Sequence, residues 1–427
     1  MVPESSDKEV INRAVRKAWV RLIPFLLIAL ILYNFDKASF TFAIPDMETS
    51  LRLTPFIAGL AAGIFFFGYL TFSIPGTYLT QKRGVKLLLP VWIVGFGVFA
   101  TLTGYVQNAV ELLVIRYLVG FFEGPFAPSI TYFISTWFPR EQRALAMSLY
   151  LLGIPISGII GSPIQGWLVE FYGWRFMFIA LGVPTIILGL LAFFYLTERP
   201  SDAKWLSDDE KRALLNRLLE ERKSIEAVTG GYSIGRAVRD WRTITLAIYY
   251  FFAALNFAGI FVWMPTILYL ASKLGLYYIG WILGGVWFVV LVVMVVWGRH
   301  SDRTGERFNH VGVGVIISLI GALMTYLFPT NVLILAIGLS LIIIGTMMGI
   351  SPFWALITQL FTGAASATVI ALIDWVGNVG SFTGPTIFGY FEGLTGNFIL
   401  VYLTTFVFYI IALALLYTVK YMTERKR

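Results

Sequence analysis

Apolar stretches of twenty or so residues recur along this chain from Leu22 to Tyr417, separated by short polar clusters. At 1.5 Å of rise per residue, each is long enough to cross a hydrocarbon core of ~30 Å as a helix. The pattern predicts twelve spans, at about 22–44, 56–79, 87–107, 110–136, 144–168, 174–196, 243–271, 276–298, 310–328, 332–357, 365–391 and 397–419. The expected fold class is therefore an all-α membrane protein. Residues 1–21 are polar and basic and predict a short surface helix (KEVINRAVRKAWVR). No cleavable signal peptide is evident, because the following apolar run contains Asp36–Lys37 and lacks a small-residue cleavage site.

The pattern breaks once, at residues 197–242. In ERPSDAKWLSDDEKRALLNRLLEERKS a proline turn comes first, then Ser207 with Glu210 three residues on, the signature of a capping box. Gly230 and Gly231 follow the helix. The expected organisation is an N-terminal bundle (1–196), a linker (197–242) and a C-terminal bundle (243–427).

Composition agrees with the pattern. Of 427 residues 58% are hydrophobic and 13% charged, against about 25% charged in soluble domains. The net charge of +8 does not point to nucleic acid, because the basic residues cluster in alternate loops. With the N-terminus placed inside, 27 of the 32 Lys and Arg fall in cytoplasmic segments, three (Arg52, Arg175, Lys273) in outer loops, and two (Lys37, Arg116) within spans. That bias predicts cytoplasmic termini and a multi-pass protein of the cell membrane. There are no cysteines, so disulfides and thiol chemistry are excluded. No lysine follows a glycine, so a Walker A phosphate loop is absent. His300 and His310 lie in or beside a loop, and no cluster has metal-ligand spacing, so neither a mid-membrane histidine relay nor a metal or other cofactor is expected. A nucleophile–base pair is also missing, so the chain is not read as an enzyme.

The two halves look like repeats. Gly84 in KRGVK and Gly305 in SDRTGER are 221 residues apart, and Pro163 in GSPIQG and Pro385 in TGPTIFG are 222 apart. Parallel six-span repeats place a binding site at mid-membrane between the halves. The Gly- and Pro-rich fifth and eleventh spans suit close helix approach.

Candidate chemistry lies where charge enters these spans, since intramembrane charges are costly and commonly functional. RYLVGFFEGPFAP carries Arg116 and Glu123, seven residues apart and within ~20° of one helix face. Both are expected to face one cavity. Span depth makes Asp36–Arg116 a plausible pair and sets Glu123 deeper. The apolar flanks of Glu123 favour its protonated form, whereas Lys37 beside Asp36 favours the ionised one. Glu123, Asp36 and Asp374 are thus the candidate proton sites, and Arg116 and Lys37 the anion-attracting groups. Asn378, one turn from Asp374, and the aromatic residues Tyr33, Trp263, Trp354 and Trp375 are candidates for the cavity wall, with packing as the alternative for each aromatic.

GRHSDRTGER resembles the cytoplasmic loop motif of the major facilitator superfamily, which implies a gating role for Gly298, Asp302, Arg303, Gly305 and Arg307. Its first-half copy, GTYLTQKRGVK, has Thr80 where an aspartate is usual, so the gating salt bridge is in doubt there. FDKASFTFAIPDM, SIPGTYLTQKRG, RYLVGFFEG, TWFPREQRALAMS, YLTERPSDAKWLSDDEK, FVWMPTIL, SPFWAL and GNVGSFTGPTIFGY together resemble the anion:cation symporter family, whose members carry sugar acids, phthalate, hydroxyphenylacetate, tartrate and similar carboxylates. The resemblance implies two six-helix bundles and roles in proton coupling and anion binding for Asp36, Arg116 and Glu123. Lys37 replaces that family's span-1 arginine, and a lysine meets carboxylate as a point charge, not a planar fork. Ile154 stands where a polar residue is frequent, and Asp374 where asparagine is; both departures disfavour a heavily hydroxylated substrate. The expectation is uptake of a small organic anion with protons, by a monomer in the lipid bilayer. Export of organic anions or drug-like compounds, and anion sensing without turnover, are the alternatives.

Overall fold

The computed structural model describes residues 5–226, 239–361 and 364–425. The Gly230–Gly231 pair lies outside the described residues. Among those described, the secondary structure is helical throughout. The helices are α1 (Ser5–Ser50), α2 (Pro55–Arg83), α3 (Val85–Thr103), α4 (Ala109–Glu123), α5 (Phe126–Trp137), α6 (Arg140–Leu151), α7 (Gly153–Tyr195), α8 (Asp208–Glu226), α9 (Trp241–Ser272), α10 (Leu276–Thr304), α11 (Phe308–Leu327), α12 (Val332–Leu360), α13 (Ala364–Thr395) and α14 (Ile399–Glu424).

Among the described residues, nine helical stretches are long and apolar enough to cross a membrane by length and composition. They correspond to twelve passes for three reasons. The stretch Arg140–Tyr195 has 56 residues and would be ~84 Å long if straight, which is two crossings. The chain turns between them at Gly173, whose φ of 79° and ψ of 160° break the helix. The fourth pass is divided into α4 and α5 at Gly124–Pro125, where the sequence predicts one uninterrupted helix. Proline has no N–H to continue the ladder. The eleventh pass is α13.

The polar N-terminal segment is not a separate surface helix. It runs without a break into α1, and Ala14, Val15 and Ala18 are buried. Helix α8 packs against this stretch. Lys17 Nζ lies 2.8 Å from Glu210 Oε2, and the capping box is in place: the Ser207 N–H donates to Glu210 Oε2 at 2.9 Å and the Glu210 N–H to Ser207 Oγ at 3.4 Å. Burial opposes charge on Glu210, but its bonds from Lys17 and Ser207 win and hold the carboxyl below the ordinary glutamate range.

Helices α1–α7 pack among themselves, as do α9–α14, through pairs such as α2–α4, α3–α7, α9–α13 and α11–α12. The two sets meet along α2–α13, α7–α10 and α1–α9. Glycine makes these seams close. A Cβ on Gly59 would strike the Pro385 carbonyl, one on Gly63 the Phe382 carbonyl, one on Gly166 the Leu276 carbonyl, and one on Gly158 the Trp287 ring. The Glu170 carboxylate reaches across and accepts the Leu276 N–H at 2.7 Å. Apart from Gly158–Trp287, which is at mid-depth, these contacts lie in the half of the bundle away from the chain termini, called here the distal half. Toward the termini α13 is uncovered: Asp374 is exposed and Trp375 is 49% exposed. The molecule is shut at the distal end and open toward the end carrying the termini.

Candidate functional site

A cavity of about 260 Å³ lies at mid-depth between the two sets. From the first set it is lined by Asn34, Lys37, Phe65, Arg116 and Ser157; from the second by Phe257, Phe261, Trp287, Met347, Ile350 and Ser381, among others. In and behind the first wall sit four charges. Arg116 Nη1 is 3.6 Å from Asp36 Oδ2, and Lys37 Nζ is 3.8 Å from Glu123 Oε2. Asp36 and Glu123 are also within interaction range of each other. The group is two acids and two bases, neutral when all are ionised.

Its members differ in access. Asp36, Arg116 and Glu123 are buried, Glu123 completely, whereas the Lys37 side chain is 25% exposed. The expectation that Arg116 and Glu123 both face the cavity is corrected: Arg116 lines it, but Glu123 lies behind Lys37 and connects to it through that ammonium. Helical geometry explains the placement. Arg116 and Glu123 share a face but are roughly 10 Å apart along the axis, so each takes a different partner from α1, where Asp36 and Lys37 are adjacent. Neither carboxylate makes a hydrogen bond at normal length to protein.

Aromatic rings hold the cations. Lys37 Nζ lies 4.0 Å from the Tyr33 ring centroid and 5.4 Å from that of Phe65; the Arg116 guanidinium carbon lies 4.4 Å from Phe40 and 5.0 Å from Phe65. Cations are attracted to such ring faces. Lys37 also donates to the Tyr33 hydroxyl at 2.6 Å. Tyr33 itself is buried and stacked on Phe126 at 4.8 Å. It is a support for Lys37, not part of the cavity wall.

The other candidates divide further. Trp263 is buried, with its indole N–H donating to the Pro385 carbonyl at 3.0 Å, so it braces α13 at the distal seam and does not line the cavity. Trp354 packs edge-on against Tyr250 at 5.0 Å, also away from the cavity lining. Asn378 donates to the Asp374 carbonyl at 2.9 Å and to its carboxylate at 3.2 Å, so its amide is engaged with its own helix. Asp374 lies within electrostatic range of Lys37, on the open side toward the termini. Ser381, one turn distal to Asn378, is the α13 side chain that reaches the cavity.

Gln165 is not among the sequence candidates, yet it is fully buried and donates to the Phe35 carbonyl at 2.9 Å, fastening the fifth pass to α1 next to Asp36. Its polarity inside an apolar run was the available clue. Phe257, Phe261, Trp287 and Met347 read as ordinary packing residues in sequence; only tertiary structure aims them at the cavity.

At the termini end, Arg307 pairs with Asp302 at 2.8 Å and donates to Ser301 Oγ at 2.8 Å. Gly305 closes α10 with a φ of 67°, and Gly298 has only Ser351 Oγ near its open side, at 3.7 Å. Arg303 is exposed. The counterpart in the first set is neutral. Thr80 is buried, donates to the Gly76 carbonyl at 2.9 Å, and accepts from Trp92 at 2.9 Å and Ser129 at 3.1 Å. A hydroxyl hub therefore stands where the motif leads one to expect an aspartate.

With two helical sets around a central cavity, the architecture is that of a membrane transporter. The chain matches the family profile described as Major Facilitator Superfamily over residues 26–385, with a second match over 246–427, and it belongs to that superfamily. It is 33% identical over 394 residues to a putative tartrate transporter of Agrobacterium vitis, covering 90% of this chain and 86% of that one. It is 30% identical to the inner membrane transport protein RhmT of Escherichia coli, covering 88% of both. It is 28% identical to a quinolone resistance transporter of Acinetobacter baumannii, covering 90% and 89%. The tartrate name fits the carboxylate-carrying branch that the motifs resemble. Among solved structures, a bacterial homologue of the human lysosomal transporter Spinster, inward-facing and occupied, superposes with a TM-score of 0.75 at 17% identity, covering 95% of this chain and 97% of that one. That likeness concerns the fold.

Proposed function

We propose that the protein is a secondary active transporter that takes up a small organic carboxylate together with protons by alternating access. The observation carrying this reading is the neutral four-charge group with Lys37 as its opening on the cavity. While Glu123 is ionised, it competes with any anion for Lys37. A proton on Glu123 cancels that competition and leaves a net positive charge facing the cavity, which a carboxylate neutralises. Asp36 stays paired with Arg116 and holds it at the wall, and Asp374 serves as a further proton relay toward the open end. The bundles are assigned to residues 1–196 and 243–427, with 197–242 as linker. On this reading the protein is a monomer in the cell membrane, both termini are cytoplasmic, the open end faces inward, and the Gly298–Arg307 loop gates it. The relative named for tartrate transport supports a carboxylate cargo.

The test is uptake of labelled carboxylates by proteoliposomes under an imposed pH gradient. Inward-directed protons should accelerate uptake, and Glu123→Gln should abolish the acceleration. Equal, gradient-independent uptake by both proteins would reject coupling.

Export of organic anions or drug-like compounds is the second reading, favoured by the apolar second wall of the cavity and the relative named for quinolone resistance. Cells expressing the protein would then lose the compound, where uptake predicts gain.

A further inference from the structure

A second cavity, of about 190 Å³, penetrates the C-terminal set and is lined by α9, α11, α12, α13 and α14. It shares Phe257, Met347, Ile350 and Ser381 with the central cavity, so the two are neighbouring compartments parted by these side chains. Met347 is the movable part of that wall, being unbranched with three rotatable bonds. Most of the inner lining is apolar or aromatic, including Ala253, Val311, Val315 and Phe353.

Its polar groups are hydroxyls. Thr346 donates to the Ile342 carbonyl at 2.8 Å, and its oxygen lies 2.7 Å from the Tyr409 hydroxyl. The Thr346 and Tyr409 hydroxyls share a hydrogen bond in which either can donate, so the tyrosine oxygen keeps acceptor capacity in both arrangements. Ser318, also in the lining, donates to the Gly314 or Ile342 carbonyl at 3.2 or 3.1 Å. The chamber therefore offers hydroxyl groups, those of Tyr249, Tyr250 and Tyr409 among them, in an apolar surround and no charge. The central cavity, by contrast, offers Lys37 and Arg116 on one side only.

Resting on the carboxylate reading above, we infer that this side chamber is a tail-binding subsite. The substrate class it selects is an elongated monocarboxylate: the acid group lies at Lys37, an apolar or aromatic body crosses the Met347 wall, and a single terminal hydrogen-bonding group such as a phenolic hydroxyl meets Tyr409. A short, polyhydroxylated diacid leaves the chamber unfilled and its own hydroxyls facing apolar walls, at a cost in desolvation.

The experiment is calorimetric titration of the purified full-length protein with benzoate, phenylacetate, 3-phenylpropionate, 4-phenylbutyrate, 3-(4-hydroxyphenyl)propionate and tartrate. Affinity should rise by about fourfold for each methylene that enters the chamber. It should rise again with the phenolic hydroxyl and be weakest for tartrate. Ala253→Leu, which fills the chamber outside the central cavity, should erase the chain-length gain and leave benzoate unchanged. Thr346→Val, nearly isosteric, should reduce the advantage of the hydroxyl and spare the phenyl series; it keeps the test sound should Ala253→Leu fail to fold. If benzoate binds and weakens in Lys37→Ala while chain length and both chamber variants make no difference, the anchor stands and the chamber assignment is overturned. If wild-type protein binds none of these acids, the carboxylate reading falls and this inference with it.

Discussion

The Asp36–Arg116 pair shows what a single residue contributes here. Both are buried and 3.6 Å apart. Removing one partner strands the other, and breaking such a pair typically costs 3–5 kcal/mol, roughly the figure expected here. Asp36→Ala and Arg116→Ala should each lower the unfolding midpoint in detergent strongly, while the double variant loses much less than the sum. Simple additivity would mean that the two are not coupled. Transport should be lost in all three, since Arg116 lines the cavity. Lys37 differs from this pair, being partly exposed and held by Tyr33.

At the scale of elements, two junctions make opposite demands. Gly173 turns the fifth pass into the sixth at a φ of 79°, with nothing within 4 Å of where a Cβ would stand. Gly173→Ala therefore meets no clash and costs backbone strain alone, about 1–3 kcal/mol. Gly285 is equally open but helical, so Gly285→Ala should be neutral or slightly stabilising. Comparing their thermal midpoints checks the assignment, and equal shifts would refute it. The docking of α8 on α1 depends on Glu210. Because its folded carboxyl titrates below the ordinary range, the docking energy is present above the unfolded value of about 4.3 and lost as pH falls through the folded one. Hydrogen exchange in α8 should rise on acidification below that value, and Glu210→Gln should remove the pH dependence. An unchanged profile in the variant would exclude Glu210 as the cause.

These elements also show what was legible in sequence. The capping box was, because it is a local pattern with a local partner. The Asp36–Arg116 pairing was, because helix rise fixes depth. The continuity of α1 was not: the polarity of its first turns reflects exposure on one face, while Ala14, Val15 and Ala18 are covered by elements that the local pattern does not identify. The position of Glu123 behind Lys37 was likewise hidden, since a shared helix face says nothing of which partner stands in front. Trp263 and Tyr33 read equally as wall or packing. Their N–H and O–H groups found partners, Pro385 and Lys37, that no spacing rule predicts.

For the whole molecule, the seams decide what can move. Apart from Gly158–Trp287 at mid-depth, the named contacts between the two sets lie in the distal half, where Glu170 and the glycine-backed approaches hold α7 to α10 and α2 to α13. Alternating access requires this end to part. The absence of cysteine makes the chain a clean host for a reporter pair. Phe67 and Phe382, with ring centroids 6.2 Å apart across the seam, are suitable positions. Joining Phe67→Cys to Phe382→Cys with a short bifunctional maleimide should arrest transport, whereas the same double variant treated with a monofunctional reagent stays active. Full turnover with the bridge in place would show that the distal end does not open.

The balance of two acids against two bases in the first wall bears on energetics. Each unit charge carried across the membrane field is worth about 2.3 kcal/mol per 100 mV. With Asp374 protonated, the interior charges of the empty carrier sum to zero and it feels none of that force, and neither does one loaded with one further proton and one monoanion. Both limbs of such a cycle are electrically silent. Flux should follow the proton concentration difference and ignore a potassium–valinomycin potential; a tartrate-like dianion accompanied by one proton would betray itself by responding to voltage.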